Sequence, residues 1–308
     1  MSAEILPSES GSRPAGTIHD LGYKRYVGTR RAPSTRWRVI ARHQIAISWK
    51  TWWRFKSALG LAVIVTFVAG GFMYFAKETL SRLARGQDPL RLLDAALPQS
   101  IAFYCRAGFL TSLLIAAGVV AGDMQTGAFT FYFARSTRPR DYVVGKLVGL
   151  GALVALIVAA GPLLLAGLRL GLSDSTDELV SSLHIVPKAL AVGALATLAY
   201  AVVPLGFSAL VANRRYALAL WAAYYLVVGT MATFLGFVST GPIAALDLPT
   251  AVQTVAFDLF NVDVRFGRRL DVPTSAAVAS IVAQAAAAIA IVAYSVRRAQ
   301  RTGVGGAS

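Results

Sequence analysis

The chain has 308 residues, of which 56% are apolar or aromatic and 15% charged, against about 25% charged in an ordinary soluble domain. A mean hydropathy of +0.59 argues against disorder, which needs low hydrophobicity, and against a soluble globule, and leaves a membrane protein as the leading class. The net charge of +15 opens a second class, a binder of nucleic acid or an anionic surface, so the placement of the charges decides.

Residues 1–35 are rich in Ser, Gly, Pro and charge without a sustained period, and read as a disordered basic tail. The first 30 residues lack the apolar core of a secretory signal peptide. Residues 36–56 differ. Trp37, Ile40, Ile47, Trp49, Trp52 and Trp53 mix with Arg38, Arg42, Lys50, Arg54 and Lys56, with no acid. This predicts an amphipathic helix in the membrane interface, aromatics at headgroup depth and bases near anionic lipid. A plain anchor before the first span is the simpler alternative.

About 20 apolar residues span the hydrocarbon core as a helix. Six segments qualify: about 57–76, 101–122, 145–168, 188–211, 216–238 and 275–296. Residues 301–308 form a C-terminal tail. Residues 243–262 mix apolar residues with Asp247, Pro249 and Asp258, and predict a short re-entrant or surface-lying helix pair. The expected fold is therefore an all-α membrane protein with six transmembrane helices and an N-terminal interfacial helix.

The Lys/Arg placement orients it. The N-terminal segment, the connection after the second span, the turn after the fourth and the C-terminal tail hold 20 bases and five acids; the opposite loops hold eight bases and ten acids. The positive-inside rule places the basic face and both termini in the cytoplasm. The charge is thereby explained as topology, and no nucleic-acid partner is expected. Arg106 and Arg169 fall toward the outer span ends, where long basic side chains snorkel to the interface; lining a polar pathway is the alternative. Gly118/Gly122, Gly145/Gly149 and Gly167/Gly171 have the small-xxx-small spacing of close helix packing.

Catalytic chemistry is not legible. Gly145-Lys146 lacks the glycine five residues upstream that a P-loop needs, since Arg140 stands there, and Leu147 replaces the magnesium-binding Ser/Thr. No HExxH or GxSxG occurs. Cys105 is single, and His19, His43 and His184 are scattered, so no metal site is expected. No enzyme or cofactor is expected in this chain.

The most informative stretch is residues 118–149. Asp123 and Gly127 mark a membrane boundary. The aromatic run Phe129-Thr130-Phe131-Tyr132-Phe133 follows, then Arg135, Arg138 and Pro139, with Asp141 and Tyr142 reopening a helix and Gly145-Lys146 leading the third span. This is an apolar knob with a basic rim, pinned between two helices. Such an element can dock in a partner's groove, or be an interfacial turn held by its aromatics.

The order of these motifs resembles the membrane subunits of type-2 ABC exporters, the ABC transporter permeases. There the segment begins Gly-Thr, continues with a leucine-rich run and a Pro-Ser-Arg turn, and ends Gly-Lys. Here Gly127-Ala128, the Phe129–Phe133 run and Arg135-Ser136-Thr137-Arg138-Pro139 stand in those places, and Lys146 matches. The resemblance covers about residues 36–300; the long N-terminal tail is not a family feature. It implies an elbow helix at 36–56 and a cytoplasmic coupling helix at 127–140 that meets a separate ABC ATPase subunit, which binds ATP and Mg. It also implies pairing with a second permease copy or paralogue, export, and the bacterial cytoplasmic membrane. Tyr104, Arg106, Tyr224 and Tyr225 are candidate pathway residues for a hydrophobic cargo, although aromatics in membrane helices commonly serve packing. The competing reading is a non-transport membrane scaffold that recruits a cytoplasmic partner.

Overall fold

A computed structural model describes residues 33–50, 52–83, 89–134, 137–239, 242–262 and 272–303. The described residues contain helices and no strand. Six helical stretches are long and apolar enough to cross a membrane: Phe55–Thr79, Ala95–Gln125, Pro139–Gly171, Thr176–Leu210, Arg214–Val238 and Thr274–Arg301. They coincide with the six segments read from sequence and are longer than each, although the fourth ends one residue earlier, at Leu210. Of the tails expected at residues 1–35 and 301–308, residues 33–35 form a 3₁₀ turn and residues 301–303 end the last helix; the rest lies outside the described residues.

Ahead of the spans, α1 covers Arg36–Lys50 and α2 covers Trp52–Leu83. Residues 36–50 and 52–56 are helical, and residue 51 lies outside the described residues. Trp53 lies on the first turn of the span-1 helix, as does the backbone of Trp52, whose side chain is outside those described.

Four spans are interrupted helices, and three interruptions have a local cause. Span 2 consists of α3 (Pro89–Ile115) and α4 (Val119–Gln125). The Ser112 carbonyl accepts from both Ala116 and Ala117, at 2.9 and 2.8 Å, which ends the regular ladder. The N–H groups of Val120 and Ala121 then donate to Ser208 Oγ of span 4 at 3.0 and 3.1 Å. Those donors would otherwise be orphans of a new helix start. Span 3 consists of α6 (Pro139–Val158) and α7 (Ala160–Gly171). Pro162 offers no N–H to the carbonyl four residues earlier, and the helix breaks there.

Span 4 contains α8 (Thr176–Ser182), α9 (Ile185–Thr197), a π turn at Leu198–Val202 and α10 (Val203–Leu210). Pro204 removes the donor for the Tyr200 carbonyl, and the wider turn absorbs the defect. Span 5 contains α11 (Arg214–Ala223), a π turn at Tyr224–Val228 and α12 (Gly229–Ser239). Gly229 presses on the Asp247 carboxylate, where a methyl group would stand 2.5 Å from Oδ1.

The 243–262 region forms a 3₁₀ turn at Pro242–Leu246 and one helix, α13 (Leu248–Leu259). It is not a surface-lying pair: Ala251, Val252, Val255 and Ala256 enter the core, against α3, α9 and the long final helix α14 (Thr274–Gly303). Asp247 caps α13, accepting from Thr250 N at 3.2 Å and Thr250 Oγ1 at 2.5 Å. Burial pushes its carboxyl above the usual range. Helix α10 lies tightly on α14. A methyl group at Gly206 would stand 2.7 Å from Ala288 Cβ, and Ser295 Oγ donates to Ala209 O at 2.9 Å.

Candidate functional site

The turn between α4 and α5 (Ala128–Ala134) is made by Gly127, whose φ of +66° is one that side chains disfavour. Its N–H donates to Met124 O at 3.2 Å, the left-handed closure that ends a helix. Within α5, residues advance about 100° each, so Phe129 and Phe133 share a face and Phe131 points away. Phe129 is 5% exposed and Phe131 77%. Phe129 stacks on Phe133 at 5.6 Å and meets Tyr142 edge-on at 5.1 Å. Tyr132 also meets Tyr142, at 5.5 Å. Burial raises the Tyr132 hydroxyl above its usual value, and the Asp123 carboxylate adds to this. A short helix anchored by three aromatics thus presents one bare phenyl ring. The chain re-enters α6 through Pro139 at its first position, with the Arg138 N–H donating to Asp141 Oδ2 at 3.2 Å. Arg138 is exposed. Arg135 and Ser136 lie outside the described residues.

Beneath α5 sits a polar cluster. Lys146 is 5% exposed. Its Nζ lies 2.9 Å from Asp123 Oδ2 and donates to Gln44 Oε1 at 3.0 Å. Tyr142 OH donates to the same Asp123 oxygen at 2.7 Å. One ammonium therefore ties α1, α4 and α6 together, and Tyr142 carries the tie to α5. A buried charge is tolerable only with such partners.

Helix α1 reaches this cluster because α6 has no side chains in its way. A methyl group at Gly145 would stand 2.8 Å from the Trp37 carbonyl oxygen, and one at Gly149 would stand 2.9 Å from the Ala41 carbonyl oxygen. Ile40, Ala41, Gln44 and Ser48 form the buried stripe of α1, so Ile40 faces α6 rather than lipid. Arg38, Arg42, Trp49 and Trp53 are exposed on the outer side, with the Arg38 guanidinium 5.4 Å from the Trp37 ring.

Of the candidate pathway residues, Tyr224 and Tyr225 meet on Trp221, at 6.0 and 6.1 Å between ring centroids. Tyr104 is buried, its hydroxyl 2.7 Å from Thr66 Oγ1. Tyr225 stacks on Phe109 at 3.8 Å. Tyr224 donates to Gln284 Oε1 at 2.6 Å and stacks on Trp221 at 6.0 Å. These are packing and tethering contacts. Arg106 is exposed, with its guanidinium 5.3 Å from the Phe103 ring. Arg169 corrects the snorkelling expectation: it is 1% exposed, with Nη1 3.3 Å from Glu178 Oε1. The local partner decides this, because Glu178 is held by the turn that opens α8. Glu178 accepts from Asp174 N at 3.0 Å, and its own N–H donates to Ser175 Oγ at 3.2 Å.

Sequence reasoning named Asp123, Tyr142 and Lys146 only as markers, and missed Gln44 and Ser208 entirely. A polar residue on the small-residue stripe of α1, facing a Gly-Lys pair, is the signal that could have found Gln44. No protein-family model matches the chain, and no curated protein matches it.

Proposed function

We propose that this chain is the membrane-spanning permease subunit of an ATP-driven ABC exporter, forming half of a translocation pathway and meeting a separate ATPase subunit through residues 127–140. The observation that carries the reading is Phe131. A large apolar side chain, 77% exposed, sits on a seven-residue helix that is rigidly anchored by its other aromatics. A bare ring on a fixed base suits insertion into a partner's apolar pocket, where such anchors supply most of the binding energy. The Lys146 cluster supports the reading too. A push on α5 reaches α1, α4 and α6 through Tyr142, Asp123 and Lys146, so rigid elements move together.

On this reading the basic face is cytoplasmic, the membrane is the bacterial cytoplasmic membrane, and ATP and Mg are bound by the partner subunit. A second permease copy or paralogue covers part of the exposed apolar surface, which on span 5 includes Leu226, Val227, Met231 and Phe234. The test is purification of the full chain with its ATPase subunit, reading Mg-dependent ATP hydrolysis in the complex. Phe131→Asp should release the ATPase while leaving the thermal stability of the permease unchanged. Normal co-purification and hydrolysis with that variant would overturn the proposal and leave a scaffold role.

A further inference from the structure

Spans 1 and 2 form a cavity of about 970 Å³ between α2 and α3, the size of sites that take drug-sized molecules. On α2 its lining runs from Ile64 to Thr79, about 22 Å along the helix axis. Apart from Thr79, Gln99 and Ser100 the wall is apolar. It includes three phenyl rings, Phe72, Phe75 and Phe103, each more than half exposed.

A lipid tail would fill such a cavity without specificity, because hydrocarbon is as apolar as the wall. Two groups require more than hydrocarbon. Gln99 lines the cavity, and its Nε2 is buried with no hydrogen-bond partner among the described residues. Arg106 follows Phe103 on α3 by three residues, and its guanidinium lies 5.3 Å from that ring. It is exposed and lies eleven residues into span 2, about 16 Å along the axis from Ala95. No carboxylate pairs with it among the described residues. A cation at that depth is costly unless an anion or acceptor meets it. Gln99 lacks an acceptor as well, so both groups ask for the same kind of atom.

We propose that this cavity binds a hydrophobic organic anion, an aromatic carboxylate of drug-like size. The aromatic body packs against Phe72, Phe75 and Phe103, as ring systems do on exposed phenyl faces. The carboxylate pairs with the Arg106 guanidinium, whose planar fork matches it. The bound pair is neutral, so neither charge stays alone in an apolar span. The inference rests on the cavity and on Arg106, and does not depend on the exporter reading.

The full chain, purified in a neutral detergent, is titrated with pyrenebutyrate, with pyrenebutanol, which keeps the ring system without the charge, or with short-chain phosphatidylglycerol. Ligand retention in native mass spectrometry and the melting temperature are read. Arg106→Gln removes the cation, and Arg42→Gln removes the same charge from the exposed face of α1. Val68 lines the cavity and is 67% exposed, so Val68→Trp narrows the cavity without crowding the core.

Pyrenebutyrate should bind at least tenfold more tightly than pyrenebutanol. Arg106→Gln should bring the two within twofold of each other. Val68→Trp should weaken pyrenebutyrate at least fivefold, while Arg42→Gln leaves it within twofold. Equal binding of acid and alcohol to the unaltered chain would reduce the cavity to a filler for hydrocarbon and overturn the proposal. So would a preference for the acid that survives Arg106→Gln, or full binding by Val68→Trp. Phosphatidylglycerol binding as tightly as pyrenebutyrate would make this a lipid site and overturn the organic-anion assignment.

Discussion

Span 3 carries a buried cation near each end, and the two are held in different ways. Lys146 is tied to Gln44, 102 positions away in sequence, and to Asp123 on another helix. Arg169 is tied to Glu178, nine positions on, across the single turn that joins spans 3 and 4. Glu178 is oriented by its own turn, through Asp174 N and Ser175 Oγ. Lys77 of α2 also reaches that turn, donating to Leu172 O and pairing with Asp174 at 2.6 Å. One end of the span is closed by a local clasp. The other is joined by a hub whose members come from separate elements. Losing one partner of a local clasp leaves the rest of the turn to hold the geometry. Losing the centre of a hub releases several elements at once.

The largest effect should follow from Lys146→Met. Asp123 would keep only the Tyr142 hydroxyl among the described residues, and Gln44 would lose its donor. Removing one member of a buried ion pair costs about 3–5 kcal/mol. The melting temperature in detergent should fall sharply, and hydrogen exchange should rise in both α1 and α5. Adding Asp123→Asn should recover most of the loss, because the uncompensated charge is then gone. A loss confined to α6, with no exchange change in α1, would dissolve the idea of a hub.

Arg169→Met should cost less, about 1–3 kcal/mol, the range for a buried acceptor left short of a partner. Glu178 keeps the Asp174 N–H, and the loss falls on one turn rather than on the contacts of α1, α4 and α6 that Lys146 joins. Hydrogen exchange should rise only around residues 172–182. If α1 or α5 also loosened, the contrast between the two ends would fail.

Much of the architecture was legible because it follows from summed quantities. Each span is a long apolar run, and window averages tolerate local errors. The segment 36–56 reads as helical because its composition is uniform, and its described residues are helical. How its Ile40 and Ala41 pack on Gly145 and Gly149 is something a linear pattern does not show. Arg169 was misread for a related reason. Snorkelling is the default for a lone arginine at a span end, and it is overridden here by a carboxylate that the helix-opening turn holds in place. In the candidate site, the aromatic run was visible, yet the division between Phe129 inside and Phe131 outside needed the position of Tyr142. Gln44 and Ser208 were invisible, since single polar residues in apolar stretches carry no periodic signal.

The smallest effect sharpens the same lesson. Three glycine pairs share the small-xxx-small spacing, and their surroundings differ. At Gly149 a methyl group would stand 2.9 Å from the Ala41 carbonyl oxygen and 3.1 Å from its Cα, both backbone atoms that move only with α1. At Gly167, inside α7, nothing lies within 4 Å of the same position. Gly149→Ala should therefore destabilise by about 1–3 kcal/mol, the usual cost of overpacking, and should raise exchange in α1. Gly167→Ala should instead stabilise by about 0.5–1 kcal/mol, because a mid-helix glycine gives way to the best helix former without new contact. Paired melting curves in one detergent check both signs. Two losses of equal size would mean that α7 has an unseen neighbour at Gly167. Two gains would mean that α1 is not pressed against α6, and that the hub at Lys146 is open.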